Sequence, residues 1–215
     1  MVTLDENRNK LSVIIFLFIF ALVIWWMIQI GQGKVPCIDQ WSRGLVNVVA
    51  HTPIFTFFRW VTELGSKTFT IPFTITMSLV LWRLYRNWFP ALLYGLGTWS
   101  THLLNQGLKS IIVRERPSIS ELLNAQGYSF PSGHAMISMV CYGLLGFLLI
   151  GKIRSKRAKK YMRIFFVLLI ILIGTSRYFI NVHYITDVVA GYFFGYLWLR
   201  LLMYIFNKKM GKNPQ

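Results

Sequence analysis

Charge is scarce in this chain, and acidic charge scarcest of all. Only 14% of its 215 residues are Asp, Glu, Lys or Arg, about half the share usual in soluble domains. With 55% hydrophobic residues and a mean hydropathy of +0.51, that shortage excludes an ordinary soluble domain. The composition describes a chain that crosses lipid several times. Cysteine is nearly absent too. Cys37 falls in a loop and Cys141 inside a hydrophobic run, whereas a disulfide needs Cα atoms within about 7 Å; both are read as unpaired structural residues. Against 7 acidic residues stand 23 Lys and Arg, a net charge of +16. The basic residues punctuate hydrophobic spans and do not cover a soluble face. This argues against a nucleic-acid partner, and for anionic lipid head groups and an anionic substrate.

In lipid every backbone polar group must be paired internally, which leaves helix bundles and closed barrels. Long charge-free runs, not short alternating ones, select the helix bundle. Six spans are expected: 11–30, 68–85, 87–108, 132–151, 161–182 and 188–206. The first follows Arg8 and Lys10 as a signal peptide would, but it is long enough to span and lacks a small-residue cleavage site, so it is read as retained. Pro90 sits near the start of the third span, where a missing N–H costs little. Gly191 and Gly195 make a GxxxG step suited to close helix packing, although so short a motif also arises by chance.

Six spans place both termini on one side. That side carries 14 Lys and Arg, including Arg8, Lys10, the run from Lys152 to Arg163, and Lys212, against 8 on the other. The positive-inside rule then puts the termini in the cytoplasm. Residues 31–67 form one long outward connection. Its stretch Leu45–Trp60 is too apolar for a free loop and is broken by Pro53, which predicts an interfacial helix or a pair of short helices. Such a segment either lines a lateral lipid entrance or simply covers the bundle.

Ionisable residues in or beside spans are expensive, and they gather here at outward transitions of the chain. Lys109 and Arg116 follow the third span, and His134 opens the fourth. Arg177 closes the fifth, and His183 and Asp187 lead into the sixth. Three fixed cations suit phosphate oxygens. Pro131-Ser132-Gly133-His134 opens a helix whose free N–H groups bind anions; Gly133 permits close approach and Ser132 adds a hydroxyl donor. Two histidines suit nucleophile and proton-transfer roles. Asp187, four residues after His183, can hold its imidazole in one tautomer.

These residues stand as Lys109-x6-Arg116-Pro117, Pro131-Ser132-Gly133-His134 and Ser176-Arg177-x5-His183-x3-Asp187. In order, and without a substitution across 79 residues, they resemble the three-part signature of the type 2 phosphatidic acid phosphatase (PAP2) superfamily. The resemblance implies one integral membrane domain over residues 1–215, an all-α bundle of six transmembrane helices with an interfacial segment between the first two. It implies that His183 attacks phosphorus, that Asp187 orients it and that His134 protonates the leaving oxygen. Lys109, Arg116, Ser132, Gly133 and Arg177 would hold the phosphoryl oxygens. Neither metal nor cofactor is implied; His51 and His102 form no ligand cluster with carboxylates. The expected partners are a lipid phosphate substrate and the surrounding membrane lipids.

An active site at the extracytoplasmic face suits undecaprenyl diphosphate first. Phosphatidylglycerophosphate and phosphatidate are alternatives, as is phosphotransfer to an acceptor lipid. A scaffold or transporter with a vestigial pocket is disfavoured, because the whole residue set is present. Outside the signature, Thr98, His102 and Asn105 share a helix face with Lys109, either supporting it or packing between helices, the latter being the simpler account. Arg114 and Glu115 are read as solvated loop charges, with contact to a second phosphate as the alternative for Arg114.

Overall fold

Short polar residues punctuate the chain where its helices begin. Ser66, Asn87 and Ser155 each accept a hydrogen bond from a first-turn N–H, of Phe69, Phe89 and Ala158 respectively. Such side chains satisfy donors that a helix start leaves open. Pro53 begins another helix, where its fixed φ is already suitable. The computed structural model describes residues 2–117 and 127–211, with side chains described from Lys10 onward. Among these residues every regular element is helical: α1 (Val2–Gly31), α2 (Cys37–Val49), α3 (Pro53–Glu63), α4 (Lys67–Tyr85), α5 (Trp88–Ile111), α6 (Gly133–Lys152), α7 (Lys156–Phe179) and α8 (Ile185–Met210). The side chains of Arg8 and Lys212, used in the charge count, lie outside the described residues, as do residues 1, 118–126 and 212–215 of the expected domain.

Each expected span coincides with a long helix, and residues 31–67 become the pair α2 and α3. Length and composition alone support fewer spans than the six expected. Four helices are long and apolar enough to cross a membrane: α1 from Lys10, α6, α7 and α8. A fifth is added if α3 and α4, bent by 45° at their junction, count as one. The reason lies in composition. His102, Asn105, Gln106 and Lys109 dilute the apolar content of α5, and α4 is rich in threonine.

The core forms around α6, which packs against α5, α7 and α8. Val140, Leu144 and Leu148 of α6 are fully buried with Leu81, Tyr94 and Ile173 from its neighbours. Glycine sets the closest contact. A Cβ on Gly191 would meet the Ser132 carbonyl oxygen at 2.5 Å, and one on Gly195 the Met136 carbonyl oxygen at 2.9 Å. The GxxxG step is thus the seam along which α8 meets the first turns of α6. By contrast α1 turns most of its apolar surface outward, Phe18 being 67% exposed. Such a surface is stable facing lipid and not water.

Candidate active site

Four chain transitions meet at one end of the bundle: the end of α5, the start of α6, the end of α7 and the start of α8. The Ser132 N–H donates to the Asp187 carbonyl at 2.9 Å, tying the entry of α6 to the first turn of α8. Asn105 of α5 donates to the Pro131 carbonyl at 3.2 Å. The N–H groups of Val182 and His183 both donate to the Arg177 carbonyl at 3.2 Å, so the turn between α7 and α8 closes on itself. Backbone bonds, helped by the Asn105 side chain, fix the frame.

Within that frame, His183 is 3% exposed. Its Nδ1 lies 3.3 Å from Asp187 Oδ2, and that same oxygen accepts the Tyr184 N–H at 2.9 Å. Asp187 therefore orients the imidazole and caps α8 with one carboxylate. On the other side of the ring, Arg116 Nη1 lies 3.2 Å from His183 Nε2. With Nδ1–H given to Asp187, Nε2 keeps the lone pair that faces the cations. Burial pushes the His183 pKa well below its ordinary value, and the charges of Arg116, Arg177 and Lys109 push it further down. Both effects favour the neutral form of the ring.

The remaining signature residues surround this pair. Lys109 donates to the Tyr128 carbonyl and lies close enough to Arg116, Arg177 and Asp187 to interact with their charges. Arg116 also holds the Gly127 carbonyl at 3.0 Å and the Val182 carbonyl at 2.8 Å. Arg177, buried, donates from Nη1 to Thr62 Oγ1 at 2.9 Å. His134 lies against the α3–α4 turn, where a Cβ on Gly65 would touch its ring at 2.8 Å, and it interacts electrostatically with Arg177, His183 and Arg116. Gly133 packs on Asn105, leaving no room for a side chain. All eight predicted residues thus come together. Two buried polar atoms among them, Ser132 Oγ and Arg177 Nε, find no partner among the described residues. Buried donors are normally satisfied, and these two belong to side chains suited to an anion.

Arg114 departs from the sequence expectation. It is no solvated loop charge but is 6% exposed, wedged between two carboxylates. Nη1 bonds Asp187 Oδ1 at 2.5 Å and Nη2 bonds Asp39 Oδ2 at 2.6 Å. Tyr184 covers its guanidinium, 3.8 Å from ring centroid to Cζ. Glu115 is exposed, as expected. Asp39, fully buried on α2, also escaped the sequence reading; it accepts from the Thr186 N–H at 3.1 Å and hydroxyl at 2.7 Å. A carboxylate followed by Trp41 within an apolar amphipathic segment was the one available hint. The polar stripe on α5 divides its work. Asn105 holds the turn before α6, while Thr98 and His102 line an apolar cleft between α4 and α5. Among the described residues no group of three or more His, Cys, Asp or Glu side chains is placed to hold a metal ion.

An apolar helical bundle that gathers cations, two histidines and a helix start at one end belongs to the membrane enzymes that handle phosphate esters. The PAP2 superfamily model matches residues 90–211, and the chain belongs to that superfamily: it is a lipid phosphatase of the PAP2 type. Among its relatives is phosphatidylglycerophosphatase B of Bacillus subtilis (strain 168), 32% identical over 200 residues, covering 93% of this chain and 97% of that protein. The fold is shared with the crystal structure of a transmembrane PAP2-type phosphatidylglycerolphosphate phosphatase from Bacillus subtilis. The TM-score is 0.75 at 24% identity, over 88% of this chain and 96% of that one.

Proposed function

We propose that this protein hydrolyses the terminal phosphate of phosphatidylglycerophosphate, giving phosphatidylglycerol and inorganic phosphate. The similarity to a phosphatidylglycerophosphatase over nearly the full length of both chains moves the substrate from undecaprenyl diphosphate, the first expectation, to this phosphomonoester. The observation that carries a phosphate site is the pair of buried, unpartnered donors, Ser132 Oγ and Arg177 Nε, beside a neutral histidine.

In the proposed reaction the His183 Nε2 lone pair attacks phosphorus in line with the departing glycerol oxygen. The P–O bond breaks as the N–P bond forms, and His134 gives its proton to the leaving alkoxide. Lys109, Arg116, Arg177, Ser132 and the first N–H groups of α6 hold the three equatorial oxygens, so that catalysis rests on positioning and charge. Asp187 stabilises the imidazole as it becomes positive. A water molecule then gives a proton to His134 and attacks phosphorus, the N–P bond breaks, and His183 is regenerated.

The finer architecture belongs to the same reading. The six long helices each cross the bilayer as a single domain, with termini in the cytoplasm and the site at the extracytoplasmic face. Rates of phosphate release from phosphatidylglycerophosphate, phosphatidate and undecaprenyl diphosphate by the purified protein test it. The highest kcat/KM is expected on the first, and the rate should survive a chelator. A preference for the diphosphate, transfer to an acceptor lipid without phosphate release, or a strict Mg²⁺ requirement would overturn it.

A further inference from the structure

Arg114 and Asp39 lie outside the residues to which the reaction assigns a step, yet Arg114 bonds directly to Asp187 and Asp39 bonds to Arg114. Arg114 uses its two terminal nitrogens on two different carboxylates, 2.5 Å from Asp187 Oδ1 and 2.6 Å from Asp39 Oδ2. Oδ1 of Asp187 is thereby occupied, and Oδ2 is the oxygen left facing His183 Nδ1 at 3.3 Å. Asp39 is held in turn by the N–H and hydroxyl of Thr186, the residue before Asp187. The chain of contacts runs Asp39, Arg114, Asp187, His183, every member buried.

The origin of Asp39 matters. It sits on α2, whose buried residues are Asp39, Ser42 and Val46, one helix face. The opposite face exposes Ile38, Trp41, Leu45 and Val48, with Trp41 78% exposed. A helix apolar outward and acidic inward lies with one side in lipid and the other on the bundle. The seat of α2 therefore fixes where Asp39 holds Arg114.

We propose that Arg114 and Asp39 are positioning residues for the nucleophile: Arg114 fixes the carboxylate of Asp187 against His183, and Asp39 anchors Arg114 from the membrane-facing helix α2. The inference rests on His183 acting as the nucleophile. Partners one step behind a metal-ligating histidine fix its tautomer and orientation, and their loss typically costs about 10- to 100-fold; the same geometry behind His183 sets the scale expected here. Because Arg114 sits between two negative charges, its removal and the removal of Asp39 change the field at His183 with opposite sign.

The groups around His183 set the pH readout: Lys109 from α5, Arg116 from the following loop, His134 from α6, Arg177 from α7 and Asp187 at the start of α8, with Arg114 and Asp39 acting from behind Asp187. Losing the cation Arg114 favours the imidazolium and moves the acid limb of kcat/KM to higher pH. Losing the charge of Asp39 moves it to lower pH.

Wild type, Arg114→Gln, Asp39→Asn, the double variant and His183→Ala are assayed for phosphate release from phosphatidylglycerophosphate across pH, with thermal melts reporting folding. Arg114→Gln is expected to lower kcat about 10- to 100-fold with KM nearly unchanged and to raise the acid limb. Asp39→Asn lowers kcat less and depresses the limb, and the double variant, which restores the net charge, returns the limb toward wild type and recovers part of the rate lost in Arg114→Gln. Should Arg114→Gln not fold, the near-isosteric Asp39→Asn carries the prediction alone. Unchanged kcat with an unmoved limb in folded variants would overturn the inference, as would limbs moving in the same direction. Activity in His183→Ala would overturn the nucleophile itself, whereas a dead His183→Ala beside an unaffected Arg114→Gln overturns only the positioning role.

Discussion

The two ends of the bundle carry the same kind of charge and use it differently. At the end formed by α6 and α7, Lys152, Arg154, Lys156, Arg157 and Lys160 are exposed. At the other end, Arg114 and Arg177 are buried and Lys109 and Arg116 half-buried, and the described acidic partners Asp39 and Asp187 lie there too. The energetics diverge accordingly. Exposed ion pairs contribute about 0–1 kcal/mol, while removing one partner of a buried pair costs about 3–5 kcal/mol. Exposed cations can be exchanged for one another in the service of orientation and lipid attraction. Buried cations are each placed against a particular oxygen, and that placement is where chemistry becomes possible.

The contrast can be broken most sharply at the proposed nucleophile. His183→Ala is expected to lower phosphate release by a factor on the order of 10⁴ or more while the melting profile persists; a folded variant with ordinary turnover would remove the distinction between the ends. Next comes Arg177→Gln, with an expected loss of about 10²- to 10³-fold in kcat. A rise in KM alone would reduce Arg177 to a binding role.

The pH profile sharpens the same point. Burial and three neighbouring cations lower the His183 pKa. Since the attacking form is unprotonated and the pKa is lowered, the acid limb of kcat/KM should lie below the free-imidazole value of about 6.5. A limb above it, after correction for the substrate's own ionisation, would contradict the buried geometry. A smaller effect is expected at the seam. Gly191→Ala presses a methyl against the Ser132 carbonyl and should destabilise by about 1–3 kcal/mol, read as a lower Tm in detergent. Smallest of all, replacing Lys156, Arg157 and Lys160 together by Gln should leave kcat unchanged and stability within about 0.5 kcal/mol per site. A large loss of activity there would join the two ends functionally.

Much of this was legible in the sequence because the signature residues are local. His183 and Asp187 are one helical turn apart, Ser132 through His134 are consecutive, and the helices that bring the groups together announce themselves as apolar runs. Arg114 was misread because it stands in a loop beside Glu115 and Arg116, where charges are ordinarily solvated. Its burial depends on Asp39, 75 residues away, and no periodicity connects the two. The span count was met only in part, for a related reason. α5 has the length of a span, but the polar face that serves the site lowers its apolar content. GxxxG could be read only as a possibility of close packing; which backbone it meets is a property of the folded bundle.

The contact between Arg116 Nη1 and His183 Nε2 has a consequence for how the enzyme waits. In the proposed reaction, the lone pair that attacks phosphorus is masked before substrate arrives by the guanidinium assigned to a phosphoryl oxygen. On that reading an incoming phosphate draws Arg116 onto itself and exposes Nε2, so recognition of the anion and uncovering of the nucleophile become a single event. Neutral electrophiles in the membrane offer Arg116 nothing to turn toward, and they meet a histidine that is already occupied. On that reading, selectivity for an anion is set at the resting state, ahead of any fit to the lipid tail.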